Sequence, residues 1–143
     1  MMDITELPFN QLVGIKKSDL PEPGILELDD LPQYKNHLST VHASAQFALA
    51  EACGGEFLLR RFGELATDYV PVLRRAEIKY KKPASGKMFA KARASEEDIQ
   101  NFLAELKSKR RALITVEVSV MDYDWATTMS ASFEWFVQQV GEP

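Results

Sequence analysis

The sequence predicts an α+β fold, one long buried helix packed against a curved antiparallel sheet. Three observations carry this. Val41–Cys53 is rich in alanine and apolar on nearly every side, as a helix enclosed by protein must be. Four later segments alternate apolar and polar residues with period two, as strands with one packed face and one wet face do. One amphipathic segment of helical period interrupts those strands.

All 143 residues, 1–143, are read as a single domain, long enough to bury a core. The first third is punctuated by Pro8, Pro21, Pro23, Gly24 and Pro32. Between those marks, Leu12–Ile15 and Ile25–Leu28 read as short strands. The Ala-rich helix follows, with Ser39 or Thr40 as its expected cap and Gly54 and Gly55 expected to end or loosen it.

The strand-like segments come next. Ala76, Ile78 and Tyr80 alternate with charged residues, and Pro83, Ser85 and Gly86 mark a turn. Met88–Ala94, Ile114–Val120 and Ala131–Val137 continue the period-two pattern, with a turn at Asp122–Asp124. The amphipathic helix falls between the second and third of them. Ser95 is its expected N-cap, Glu96 and Glu97 lie in its first turn, and Lys107 and Lys109 lie near its end, an order that suits the helix dipole. Ile99, Phe102, Leu103 and Leu106 form its apolar stripe.

Composition narrows the function. A net charge of -4 and a pI of about 5.2 argue against a protein that coats nucleic acid or holds a membrane through a polybasic patch. The one cysteine, Cys53, permits no internal disulfide, and Met1–Phe9 has neither the basic nor the apolar region of a secretory signal. The expectation is a cytoplasmic protein without membrane or nucleic-acid partners. With two histidines, His37 and His42, and no surrounding Cys or carboxylate pattern, no metal site is expected. No cofactor motif such as a Gly-rich phosphate loop is present either.

Glu51 is the informative residue. It sits within Ala48-Leu-Ala-Glu-Ala-Cys53, in the most apolar part of the chain. Burying a carboxylate raises its pKa, and a raised carboxyl can serve as general base near neutral pH. The plainer alternative is that Glu51 reaches the surface or forms an ion pair with Arg60, Arg61, Arg74 or Arg75. His42 falls at the helix start, where first-turn N–H groups are unpaired. Nine residues separate His42 from Glu51, which puts them on opposite sides of one helix if that helix includes His42. Two copies related by a two-fold axis can bring His42 of one to Glu51 of the other.

The spacing Asn36-x5-His42-x8-Glu51 on an Ala-rich helix resembles the hotdog-fold acyl-CoA thioesterase superfamily, in its phenylacetate-pathway-type branch and, nearest of all, its uncharacterised thioesterase branch. The phenylacetate-pathway-type branch reads Asn-x-x-Gly-x-x-His-Gly-Gly, followed by an acidic residue on the helix. Ile78-Lys-Tyr-Lys-Lys-Pro-Ala-Ser-Gly86 resembles its strand-Pro-Ala-x-Gly-strand signature. The resemblance runs from about Leu7 to Val137. It implies a hotdog fold, a homodimer paired edge to edge that often assembles into tetramers, and a site at the dimer interface. It casts Glu51 as general base or nucleophile, Asn36 as the residue placing water or thioester, His42 as the group near the thioester carbonyl, and the Ala43 N–H as oxyanion donor. The chain departs from the pattern at Ser39, at Ala43 and Ser44, each of which replaces a glycine, and at Leu73, where a polar helper stands in some members.

The function this implies is hydrolysis of an acyl-CoA, aryl or acyl-carrier thioester, with Arg74, Arg75 and Lys82 as candidates for holding CoA phosphates. A non-catalytic acyl- or CoA-binding protein is the alternative, and the glycine replacements favour it. An enoyl-thioester hydratase or dehydratase is less well matched, because the chain has neither a Gly-His-Phe-Pro-Gly loop nor an Asp-x4-His pair.

Overall fold

The structure, a computed structural model, describes residues 2–63 and 67–140. Six antiparallel strands form one sheet in the order β1-β2-β4-β5-β6-β3. They are β1 (Lys16–Lys17), β2 (Leu26–Leu28), β3 (Tyr69–Tyr80), β4 (Met88–Arg93), β5 (Arg111–Met121) and β6 (Thr127–Gln139). Three α-helices accompany them, α1 (Pro8–Val13), α2 (Ala43–Phe62) and α3 (Glu96–Lys109). The α+β reading holds, with α2 as the buried helix and α3 inserted between β4 and β5.

Alternation places the core. In β5, Ala112, Ile114, Val116, Val118 and Val120 are buried, and in β6 so are Met129, Ala131, Phe133, Trp135 and Val137. These side chains share the face on which α2 packs through Leu49, Ala50, Ala52 and Cys53. One buried polar tie fixes the helix against the sheet: the Thr128 hydroxyl donates to Gln46 Oε1 at 2.8 Å. Burial pushes the Cys53 thiol up to about 12.

Two expectations are corrected. Leu12–Ile15 is not a strand, since Leu12 and Val13 end α1 and the strand begins at Lys16. Pro8, which reads as a breaker, occupies the start of α1, where its fixed φ suits a helix. Gly14 then closes that helix at φ 93, a left-handed geometry that favours glycine. Helix α2 also continues through its two glycines rather than ending at them. The helix runs eight residues past Gly54, to Phe62, and its N-cap is His42 rather than Ser39 or Thr40. Both glycines are buried inside the helix, where they let it approach the sheet. A Cβ on Gly54 would lie 3.3 Å from Trp135 Nε1, and one on Gly55 would lie 3.1 Å from Ile4 Cδ1.

Helix α3 matches its sequence pattern. Ser95 Oγ accepts from Asp98 N, and Ile99, Phe102 and Leu106 are buried. The Phe102 ring meets Phe62 of α2 at 5.0 Å.

Strand β3 lies at the sheet edge and, among the described residues, pairs only with β6. Its register shifts between Leu73 and Arg75, leaving Arg74 as the bulged residue. The shift puts Leu73, Ala76, Ile78 and Tyr80 on the helix side. Helix α2 packs on β2, β4, β5 and β6, so β3 extends beyond its cover.

Candidate active site

Beneath the overhanging β3 lies an open cavity of about 470 Å³, lined by Phe9, Ser44, Phe47, Ala48, Glu51, Leu73 and Tyr80. Ser44, Phe47, Ala48 and Glu51 recur at helical spacing along one face of α2. Leu73 and Tyr80 come from β3, and Phe9 comes from α1.

Glu51 is the cavity's carboxylate. It is half-buried, and burial raises its pKa above the ordinary glutamate value. Among the described residues it forms no ion pair, with Arg60, Arg61, Arg74, Arg75 or any other base. Arg61 instead reaches Glu96 at 2.9 Å. Helix α2 carries a second, more deeply buried acid, Glu56, which sequence reasoning passed over. It lies about 140° around the helix from Glu51 and does not line the cavity.

The start of α2 is closely moored. Val41 N donates to Ala84 O at 2.8 Å, and His42 N donates to Tyr34 O at 2.7 Å. The Pro-Ala-x-Gly segment therefore supplies, through the Ala84 carbonyl, a fixed seat for the helix. His42 Nδ1 accepts from Ser44 N at 2.9 Å, which leaves Nε2 as the protonated nitrogen of the neutral ring, able to donate. The Ala43 N–H, at the first helical position, donates to no acceptor among the described residues. The Ala43 carbonyl accepts from the Tyr80 hydroxyl at 3.1 Å.

Asn36 turns its side chain onto its own loop. Its Oδ1 accepts from Leu38 N at 2.9 Å and Thr40 N at 3.0 Å, while Nδ2 donates to Thr40 Oγ1 at 2.9 Å. Ser39 lies inside that loop at φ 61. A left-handed turn thus survives at the position where the resembling motif has glycine. Lys82, one of the three phosphate candidates, is engaged with Asp122 at 3.3 Å. Arg74 and Arg75 are exposed on β3, beside the cavity residue Leu73, and form no ion pair among the described residues.

The structure thus gathers Glu51 into a cavity and places His42 and Ala43 at the same helix's start, about 12 Å away along its axis. Sequence reasoning missed Phe9 and Tyr80 as cavity residues. Tyr80 had a signal, its place on the apolar stripe of its strand three residues before Pro83. Phe9 had none, because α1 was not read as a helix.

A family model described as "Domain of unknown function (DUF4442)" matches residues 13–137. The chain belongs to the DUF4442 family. No functionally curated protein matches it. Among solved structures, this DUF4442 chain is similar to a Pseudomonas aeruginosa protein described as a "Probable Thioesterase", with 23% identity, 96% of this chain and 91% of that chain covered, and a TM-score of 0.80. A Shewanella oneidensis protein with an equivalent thioesterase description gives 19% identity, 94% and 90% coverage, and a TM-score of 0.75. A Bacillus halodurans protein crystallised with CoA gives 20% identity, 90% and 74% coverage, and a TM-score of 0.67. These likenesses establish the hotdog fold. Among the described residues, no helix is long and apolar enough to cross a membrane.

Proposed function

We propose that this DUF4442 protein hydrolyses acyl thioesters, of CoA or an acyl carrier, at a site shared between two copies of the chain. The observation that carries this is Glu51, a carboxyl without an ion-pair partner among the described residues, held by burial above its ordinary pKa in a mainly apolar cavity. Such a group can take a proton from water or attack the thioester carbonyl directly.

The oxyanion donor must lie about 3 Å from the same reacting carbon. Within one chain the Ala43 N–H is about 12 Å away along the helix axis, too far to serve that carbon. A second copy resolves this. The outer edge of β3 is 12 residues long and unpaired among the described residues, with Val70 and Val72 exposed on it. An unpaired edge of that length is a template for strand pairing. Pairing through it joins two cavities, so that Glu51 of one copy meets Ala43 N–H and His42 Nε2 of the other. Asn36 holds the loop before the helix start, and Arg74 and Arg75, exposed on β3 and without ion-pair partners among the described residues, favour phosphates of the leaving thiol. The thioesterase description and the bound CoA among the similar structures support the same chemistry.

The test is thiol release from a panel of short, long and aryl acyl-CoA substrates by wild type and Glu51→Gln. Wild-type turnover that the substitution removes supports the proposal. Equal inertness of both proteins overturns it.

A further inference from the structure

The geometry points to Tyr80 as a positioning residue for the oxyanion-binding start of α2. The inference rests on the hydrolysis reading above and adds to it a residue outside the helix.

Tyr80 is the last residue of β3, and its ring lines the same cavity as Glu51. Its hydroxyl donates across the cavity wall to Ala43 O at 3.1 Å. That oxygen belongs to the Ala43–Ser44 peptide, whose N–H is accepted by His42 Nδ1 at 2.9 Å. One peptide of the first helical turn is therefore gripped at both ends, by a side chain from the sheet and by a side chain from the cap. The neighbouring peptide carries the Ala43 N–H, which has no acceptor among the described residues. Fixing the plane on one side of the Ala43 Cα restricts the rotation that aims this N–H.

The bond is not what holds the helix in place. Val41 N to Ala84 O at 2.8 Å and His42 N to Tyr34 O at 2.7 Å already moor its start through backbone groups. The Tyr80 side is also well exposed, at 45%, so its hydroxyl adds little to folding. The effect of the hydroxyl falls on direction, and a preorganised donor loses effect when its direction is loosened.

The test compares wild type with Tyr80→Phe, which keeps the ring, and Tyr80→Leu, which removes both ring and hydroxyl. Steady-state kinetics on the best acyl-CoA and thermal melting are measured for each. The expected result for Tyr80→Phe is a kcat lower by about 10-fold or more, with KM within about twofold and an unchanged melting temperature. Tyr80→Leu should lower kcat similarly and raise KM as well, because it opens the cavity wall. An active wild type with an equally active Tyr80→Phe overturns this inference alone. So does a Tyr80→Phe whose loss lies in KM or in melting temperature, since the hydroxyl would then serve binding or the fold. A wild type inert across the panel overturns the proposed function and this inference with it.

Discussion

A Cβ on Gly54 would lie 3.3 Å from Nε1 of Trp135, so helix α2 approaches β6 more closely there than an ordinary Cβ contact permits. The neighbouring Gly55 faces Ile4 Cδ1 at 3.1 Å instead. One obstacle is a rigid buried ring and the other is the free end of a flexible chain. Gly54→Ala should destabilise by about 1–3 kcal/mol through overpacking. Gly55→Ala should be close to neutral, because Ile4 can turn aside and alanine gains about 1 kcal/mol of helix propensity. Chemical denaturation of the two variants measures the contrast.

Ser39 holds a left-handed φ of 61. A non-glycine residue in that region costs roughly 1–2 kcal/mol. Ser39→Gly should therefore raise stability by about 1 kcal/mol, and Ser39→Val should lower it, as read from melting curves.

Glu51 ties stability to activity through pH. Burial raises its folded-state pKa above the unfolded value, so its ionisation weakens the fold as pH rises through that folded pKa. Glu51→Gln should melt higher than wild type at neutral pH, and the difference should vanish in acid, below the unfolded pKa. The same substitution should lower kcat by about 10²–10⁴ as expected for loss of a general base. A loss of activity with no stabilisation at neutral pH would mean that the folded protein solvates this carboxyl well.

The exposed edge of β3 predicts a specific failure. Placing lysine at both Val70 and Val72 should convert a dimer into a folded monomer, as charged residues block edge pairing in other sheets. Native mass reports the assembly. Thioester hydrolysis should disappear along with the dimer.

Phe9 is a cavity wall that α1 presents while leaving the ring itself 62% exposed. Phe9→Ala should widen the cavity with little effect on melting and shift the preferred acyl chain toward longer or bulkier groups. A substrate panel with an unchanged profile would remove Phe9 from specificity.

The α+β plan was legible because period-two patterns in β5 and β6 and the capped stripe of α3 are local signals that the packing obeys. The carboxyl of Glu51 was legible for a related reason, since an acid in an Ala-rich helix has few innocuous places to go. What escaped was set by tertiary contact. Gly54 and Gly55 carry the same local signal as a helix terminus, and only the ring of Trp135 and the side chain of Ile4 explain why the helix continues. Pro8 similarly reads as a breaker until α1 is seen to begin on it. Phe9 went unrecognised with that helix, and Leu73 shares a face with Ala76, Ile78 and Tyr80 only through the bulge at Arg74.

Cys53, the one cysteine, is fully enclosed with its thiol pushed up to about 12 and its Sγ turned toward Gly24 O at 3.7 Å. A thiol so protected stays protonated at assay pH and out of reach of aromatic disulfide reagents. Colorimetric readouts of liberated CoA should therefore carry no background from the folded polypeptide. Any slow labelling of this sulfur can serve instead as a clock for how often the helix and sheet part.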